Sequence, residues 1–518
     1  MGGEDRAVPY NWVDASATTV AGPSNCSRPA PAPATMSQPP ILPRTNQLLP
    51  LFINIFSAVP AEAPSMNLLL LLPLLIQFSL PCTSTSMDPQ EMETLFHVME
   101  TMSSDRDWRS SNPDPCSSPW PGIECKPSSS GDSNQQLHVT RLAFGVSPNP
   151  TCKPTAIFPA QVFALPRLQS LFFLNCFNVT KTSLSIDANQ KAYASLEQLS
   201  LKSNPSLVGA IPPEISSLNS LQVLTLSQNH LTGRIPDSIS QLASLVHLDL
   251  SYNVLTSSIP PQIGQLKKLI NLDLSYNSLS GRVPQSIGQM VLLQKLDLSS
   301  NDLTGRIPET IGSLTSLEFL ALSDNKLNGE LPNGMAGLLS LQYLIMDDNP
   351  MFISLPAVLG RLDKLQELRL GNSGYSGEIP ESFARLTNLT SLSLERNRLS
   401  GEIPADFSDL GRIYHLNLSW NLLSGVVPFG SGFIRRLGRN LDLSGNPGLC
   451  LNASNRGIES VDVGAELCQD AGRPTEAASM EEGLASSSGG KQLWLLLRFH
   501  CYQLILGWLS VWCSGAKI

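Results

Sequence analysis

No cysteine lies between Cys176 and Cys450 of this 518-residue chain, and no Cys-x-x-Cys or close histidine pair occurs in it. Zinc ribbons and dithiol redox motifs are thereby excluded, and no metal or other cofactor is expected. Histidines number only 6, and the chain contains no His-Glu-x-x-His, Gly-x-Ser-x-Gly, Gly-x-Gly-x-x-Gly, phosphate loop or kinase segment set. With those patterns go the usual routes to metal-assisted hydrolysis, acyl transfer, nucleotide binding and phosphoryl transfer, so the chain reads as a non-enzyme. Basic charge is also short: 34 Lys and Arg stand against 43 Asp and Glu, with no basic run, which argues against a nucleic-acid partner.

Long apolar runs are few, and the two that exist bracket the chain. Leu68 to Leu80, preceded by Met66-Asn67 and followed by Cys82-Thr83-Ser84, reads as a secretory signal over 66–84. The Pro- and Ala-rich residues 1–65 hold too little apolar content to fold, so translation is expected to begin at Met66 rather than to include a disordered arm. Leu493 to Trp512 is long enough to span a bilayer but carries Arg498, His500 and Gln503. Arginine near the middle of a span costs roughly 2.5–3.5 kcal/mol, less toward an end where it snorkels. A competing reading takes Ser486 to Gly490 as a lipid-anchor site with the tail removed. Either way the chain enters the secretory pathway and ends at the plasma membrane, with residues 471–492 as a disordered linker.

Between the two segments the chain repeats itself. Leu221-x-x-Leu224-x-Leu226-x-x-Asn229 recurs every 24 residues through Asn253, Asn277, Asn301, Asn325, Asn349, Asn397 and Asn421, with Ser373 in the slot once. Looser copies begin at Val139, Leu168, Leu196 and Gly438, giving about thirteen units. Leu-x-Leu alternation marks a short strand with one buried face, and such a strand buries its leucines only by stacking on its neighbours. At roughly 4.8 Å per strand, thirteen units make a parallel sheet about 60 Å long. The asparagine slot serves the following turn, where its amide satisfies backbone groups left inside the narrow coil. Leu231-Thr232-Gly233-Arg234-Ile235-Pro236 and its copies then predict a convex side of short strand and 3₁₀ or irregular coil. The fold expected is an α/β solenoid, a horseshoe with a concave parallel sheet.

The Leu-Ser/Thr-Gly-x-Ile-Pro signature, repeated in register, resembles the plant class of leucine-rich repeats. Asn204 to Gly209, Gly371 to Gly377 and Arg412 to Ser419 further resemble plant receptor-like proteins of the branch containing Piriformospora indica-insensitive protein 2 and Too Many Mouths. The resemblance covers about residues 88–468. It implies a kinase-less cell-surface receptor in development, defence or microbe sensing, which would signal through a kinase-bearing co-receptor. A secreted inhibitor of the polygalacturonase-inhibiting type, in the apoplast or cell wall, shares the repeat class and is the alternative. A structural cell-wall protein is a third.

A solenoid must seal its two ends. Asp88-Pro89-Gln90-Glu91 reads as an N-cap, a proline at N1 and a capping-box glutamate, with Met92, Leu95, Phe96 and Met99 at helical spacing, inside an N-terminal cap over 85–137. Cys116 and Cys125 resemble the paired cysteines of the plant N-terminal cap, and Cys450 and Cys468 those of a C-terminal cap over 447–470. The repeats occupy 138–446. Cys152 and Cys176 remain as a pair that would bridge adjacent early coils, since an oxidising compartment favours disulfides. Asn178, Asn388, Asn417 and Asn452 open Asn-x-Ser/Thr sequons, and a glycan on Asn417 would cover the C-terminal part of the concave face.

Non-leucine strand positions face the concave solvent side and stack into columns. One such column carries Asp249, Asp273 and Asp297, read as scaffold filler rather than a cation site. The units from Leu317 to Tyr375 leave the consensus, with Phe319, Tyr343, Ile345, Asp347, Asp348, Glu367 and Arg369 on the concave side. Aromatics beside unlike charges are what a binding hot spot requires, so these residues are the candidate ligand-binding set. Tyr252, Tyr276 and Trp420 form a secondary set of exposed aromatics, expected on the concave side. No insertion interrupts the units between Asn229 and Asn421, so the island loop of some steroid-sensing plant receptors is missing and a peptide or protein ligand is expected.

Overall fold

The computed structural model describes residues 87–128, 136–186, 195–452 and 462–468. The extension 1–65, signal 66–84, linker 471–492 and tail 493–512 lie outside these residues. Among the described residues no helix is long and apolar enough to cross a membrane.

Each unit makes one coil, and the coils stack into a 14-stranded sheet. Its first strand, Ile123–Pro127, runs antiparallel to Leu137–Phe144; pairing is parallel from there to Leu441–Asp442. The register is in step: Leu272 lies between Leu248 and Leu296, and each of the three is fully buried. A shifted register would turn that column to water, so the leucines fix the pairing at about 1.5–3 kcal/mol apiece.

Leaving each strand, the chain turns through a left-handed residue. Gln228, Tyr252, Tyr276, Ser300, Asp324, Asp348, Asn372, Arg396 and Trp420 all hold φ between 47° and 56°. Such a backbone costs an L-residue roughly 1–2 kcal/mol, and the asparagine that follows offsets it. The Asn301 amide donates to Leu274 O at 3.0 Å, Ser299 O at 3.1 Å and Leu298 O at 3.2 Å, while its Oδ1 accepts the Leu279 N–H at 2.9 Å. One side chain thus stitches two coils. Ser373, in the same slot, is shorter: its hydroxyl donates to Gly371 O and accepts the Asn349 N–H.

The turn leads to a second, flanking sheet, six strands from Asn204–Gly209 to Lys326–Leu327 and five from Ser376–Gly377 to Glu466–Leu467. It breaks where Met351-Phe352-Ile353 replaces Leu-x-Gly, leaving only a bridge from Ser354 to Ser376. The convex side is a row of five-residue 3₁₀ helices, from Pro213–Ser217 to Ala405–Asp409, as the Pro-Gly pattern requires.

Helix α1 (Pro89–Met102) lids the first strand with Leu95, Phe96, Val98, Met99 and Met102 buried, and the Asp88 carboxylate accepts the N–H of Gln90 and Glu91. Glu91 departs from the capping-box expectation. Its side chain is buried, accepts the Val139 N–H at 2.8 Å and lies 2.7 Å from His138 Nδ1. Val139 needs that acceptor more than the helix end does, because an unpaired N–H inside the cap costs about 1–3 kcal/mol. Three disulfides join Cys116 to Cys125, Cys152 to Cys176 and Cys450 to Cys468.

Candidate recognition face

Where the strand takes Leu at its middle position, the residues on either side point outward, and stacking forms two columns. Lys295, Phe319, Tyr343 and Glu367 follow one another in the first; Asp297, Ala321, Ile345 and Arg369 in the second. In the first column the Phe319 and Tyr343 rings lie 6.0 Å apart, and the Lys295 ammonium stands 5.5 Å from the Phe319 ring. The Tyr343 hydroxyl donates to Gln366 Oε1 at 3.4 Å, and Gln366 in turn donates to Gln342 at 2.9 Å. These rings are half-buried against one another, which holds their rotamers while leaving faces open. Ile345 and Arg369, side by side in the second column, complete a patch with an apolar centre and charged margins.

Asp347 corrects the expectation of an open carboxylate. It is only 5% exposed, accepts the Gly371 N–H at 2.8 Å and holds Arg369 Nε at 2.8 Å. Burial lifts its acid to about 6, opposed by the Arg369 charge and the Gly371 hydrogen bond. The physical reason is a displacement by two residues. In ordinary coils the aspartate sits on the strand and caps the serine two residues on, as Asp249 accepts from the Ser251 N–H and hydroxyl; in this coil Ile345 takes the strand slot and the acid moves inward. Asp347 therefore faces inward, against Arg369, rather than out onto the concave surface. Asp348 occupies the left-handed turn, at the rim between sheet and flank, and accepts from the Asn372 amide.

Tyr252 and Tyr276, expected on the concave sheet, instead occupy that same rim because the left-handed turn carries them past the strand end, with rings stacked at 4.1 Å and 10°. Burial and then the neighbouring Tyr276 push the Tyr252 phenol up to about 12. Trp420 shares the slot but stands six coils from Tyr276 (144 residues at 24 per coil), its ring lying over Gly445. The three do not form one site. The Asp249, Asp273 and Asp297 ladder binds its own turns and Lys295, whose Nζ is 2.8 Å from Asp273. Burial first, then the Asp273 charge, lifts Asp297 to about 6. Among the described residues no cluster of His, Cys, Asp and Glu is arranged to hold a metal.

Phe352 is a further candidate, absent from the ligand-binding set expected from the sequence. It is 64% exposed, its ring lies over Gly374, and Arg398 stands 5.9 Å from it. With Asp348, Asn372 and Arg396 it lines a cleft of about 460 Å3 just over the rim from Ile345 and Arg369. The signal was present in the paired departures, Ile353 where a glycine belongs and Gly374 one coil later. Of the sequons, Asn417 lies half-buried on the concave strand His415–Asn417, Asn388 is half-buried and accepts from Arg412, and Asn178 and Asn452 are exposed in the end coils.

A leucine-rich repeat region model matches residues 272–402, and a leucine rich repeat model matches 194–255. Receptor like protein 29 of Arabidopsis thaliana is 59% identical over 148 residues, 28% of this chain and 31% of that protein. Piriformospora indica-insensitive protein 2 of the same plant is 34% identical over 148 residues, 28% of this chain and 34% of that protein. The chain thus spans about a third of the length of the curated relatives it matches. Among solved structures, the PEPR1-AtPEP1 crystal structure superposes with a TM-score of 0.58 at 28% identity, covering 70% of this chain and 49% of that one.

Proposed function

We propose, from the premise that the chain belongs to the plant leucine-rich-repeat receptor-like proteins, that it is a kinase-less recognition protein of the cell surface. Its ligand is a peptide or protein laid along the concave sheet, and a kinase-bearing co-receptor carries the signal inward. The observation that carries this reading is the patch of Lys295, Phe319, Tyr343, Ile345 and Arg369. It gathers two aromatics, a branched aliphatic and two cations where the repeat leaves its own consensus, and hot spots are built from such anchors. Glu367 extends the patch by one strand, and Phe352 and Arg398 extend it over the rim. The PEPR1 structure with AtPEP1 supports the reading by kinship of fold, and the three disulfides support an oxidising, extracellular setting. Membrane attachment through 493–512, glycans on the four sequons and the absence of catalysis complete the proposal.

The test is a photo-crosslinking residue placed at Tyr343, with a second at Ser238 on the convex side as control, in the full chain expressed in plant tissue. A defined adduct at Tyr343, lost when Arg369→Ala is added and missing from Ser238, is the expected result. Equal labelling at both positions, or none at Tyr343, would remove the concave patch as the ligand site. Separating membrane from apoplastic fluid distinguishes the receptor from the secreted-inhibitor alternative.

A further inference from the structure

The flank beside the concave sheet carries an order that stacking alone does not demand. Once per coil the residue after the turn glycine stands outward, and read along the solenoid the charged ones are Arg234, Arg282 and Arg306, then Glu330, Glu378 and Glu402. All six are exposed. Their signs separate completely, with Ser258 an uncharged rung inside the basic half and Ser354 one inside the acidic half. The glycine of the next coil lets the stems of four of them lie down along the row. A side chain at Gly329 would come within 2.9 Å of Arg306 Nε, one at Gly305 within 3.2 Å of Arg282 Cγ, and ones at Gly401 and Gly425 within 2.9 and 3.0 Å of the Cγ atoms of Glu378 and Glu402. Stem packing of these four restricts part of their rotamer freedom, which lowers the entropy lost on docking. Among the described residues none of the six side chains makes an ion pair or hydrogen bond, although elsewhere the same protein pairs charges on adjacent coils, as Lys295 and Asp273 do.

A row that is basic along one half and acidic along the other complements itself under a two-fold axis. With the axis between Arg306 and Glu330, Arg306 of one copy meets Glu330 of the other and Arg234 meets Glu402, seven coils or roughly 34 Å along at about 4.8 Å per coil, while Arg282 and Glu378 face the neutral Ser354 and Ser258 beside those pairs. The axis falls on a cleft of about 550 Å3 lined by Arg282, Arg306, Glu309 and Glu330. None of the four sequons stands on this row. We propose that this flank is the interface of a homodimer, in which a second copy of the chain docks antiparallel along the charged row and leaves both concave faces open. The contact is electrostatic and therefore salt-sensitive.

The test uses the full chain in detergent, measured by sedimentation at 50 and 300 mM NaCl. Wild type should dimerise at low salt and at least tenfold more weakly at high salt. An all-acidic variant (Arg234→Glu, Arg282→Glu, Arg306→Glu) and an all-basic variant (Glu330→Arg, Glu378→Arg, Glu402→Arg) should each be monomeric, and an equimolar mixture should dimerise again. A monomeric wild type at 50 mM NaCl, dimers from either variant alone, or a mixture that stays monomeric would overturn the proposal. Should a triple variant fail to fold, Arg306→Gln and Glu330→Gln must each weaken dimerisation at least threefold, and unchanged dimers would count equally against it.

Discussion

Replacing Asp347 by Asn should stabilise the solenoid at neutral pH and remove part of a pH dependence that the wild type carries. The carboxyl is 5% exposed, and burial lifts it from 3.8 to about 6. Arg369 opposes the lift, but its own side chain is 42% exposed and its attraction is screened, while Glu395 and Asp348 add to the repulsion. A rise of that size corresponds to about 3 kcal/mol. Because the folded carboxyl holds its proton more tightly than the unfolded one, its contribution is fully present below the unfolded value near 4 and is lost as pH rises through about 6. Asn keeps an oxygen for the Gly371 N–H and sheds the charge, and fitting its amide where the second carboxyl oxygen lay costs about 1 kcal/mol. The net gain at pH 7.5 should be about 1–2 kcal/mol, and near pH 4 the difference should vanish. Urea midpoints followed by tryptophan fluorescence at pH 4, 5, 6 and 7.5 read this directly. Asp297, lifted likewise to about 6, acts in the same window, so Asp297→Asn should remove a further part of the slope. A variant less stable than wild type at pH 7.5 would refute the reasoning and make the Arg369 pair the dominant interaction.

Two further substitutions test the scaffold. Leu272→Ala empties a fully buried slot between Leu248 and Leu296 and should cost about 2–5 kcal/mol in equilibrium unfolding, whereas a surface-like effect would contradict the register. Asn301→Ala strips the Leu279 N–H of its acceptor inside the coil and should cost at least about 2 kcal/mol, with hydrogen exchange rising first at Leu279 and in the adjoining turn.

The fold was legible because each decision that makes it is taken within one coil and then copied. Leu248 is buried for the same reason as Leu272, and Asn253 bonds as Asn277 does, so a period of 24 residues carries the architecture by itself. What escaped the sequence is what depends on the neighbouring coil or on backbone sign. The left-handed slot accepts Gln228, Ser300, Arg396 and Trp420 alike, so composition gave no hint that Tyr252 and Tyr276 tilt from the sheet onto the rim. Glu91 looked like a cap because its true partner, Val139, is 48 residues away. Asp347 looked like bait for a ligand because its acceptor role runs to Gly371, 24 residues on. These escapes share a cause, since a repeat can change its local chemistry without changing its period. The coils from Leu317 to Tyr375 do this at constant spacing: the sheet stays regular beneath them while Ile345, Phe352 and Gly374 exchange scaffold residues for surface ones. A scaffold that tolerates such exchanges leaves its period silent about its solvent faces, and for that reason the proposed ligand face rests on the departures from consensus rather than on the consensus itself.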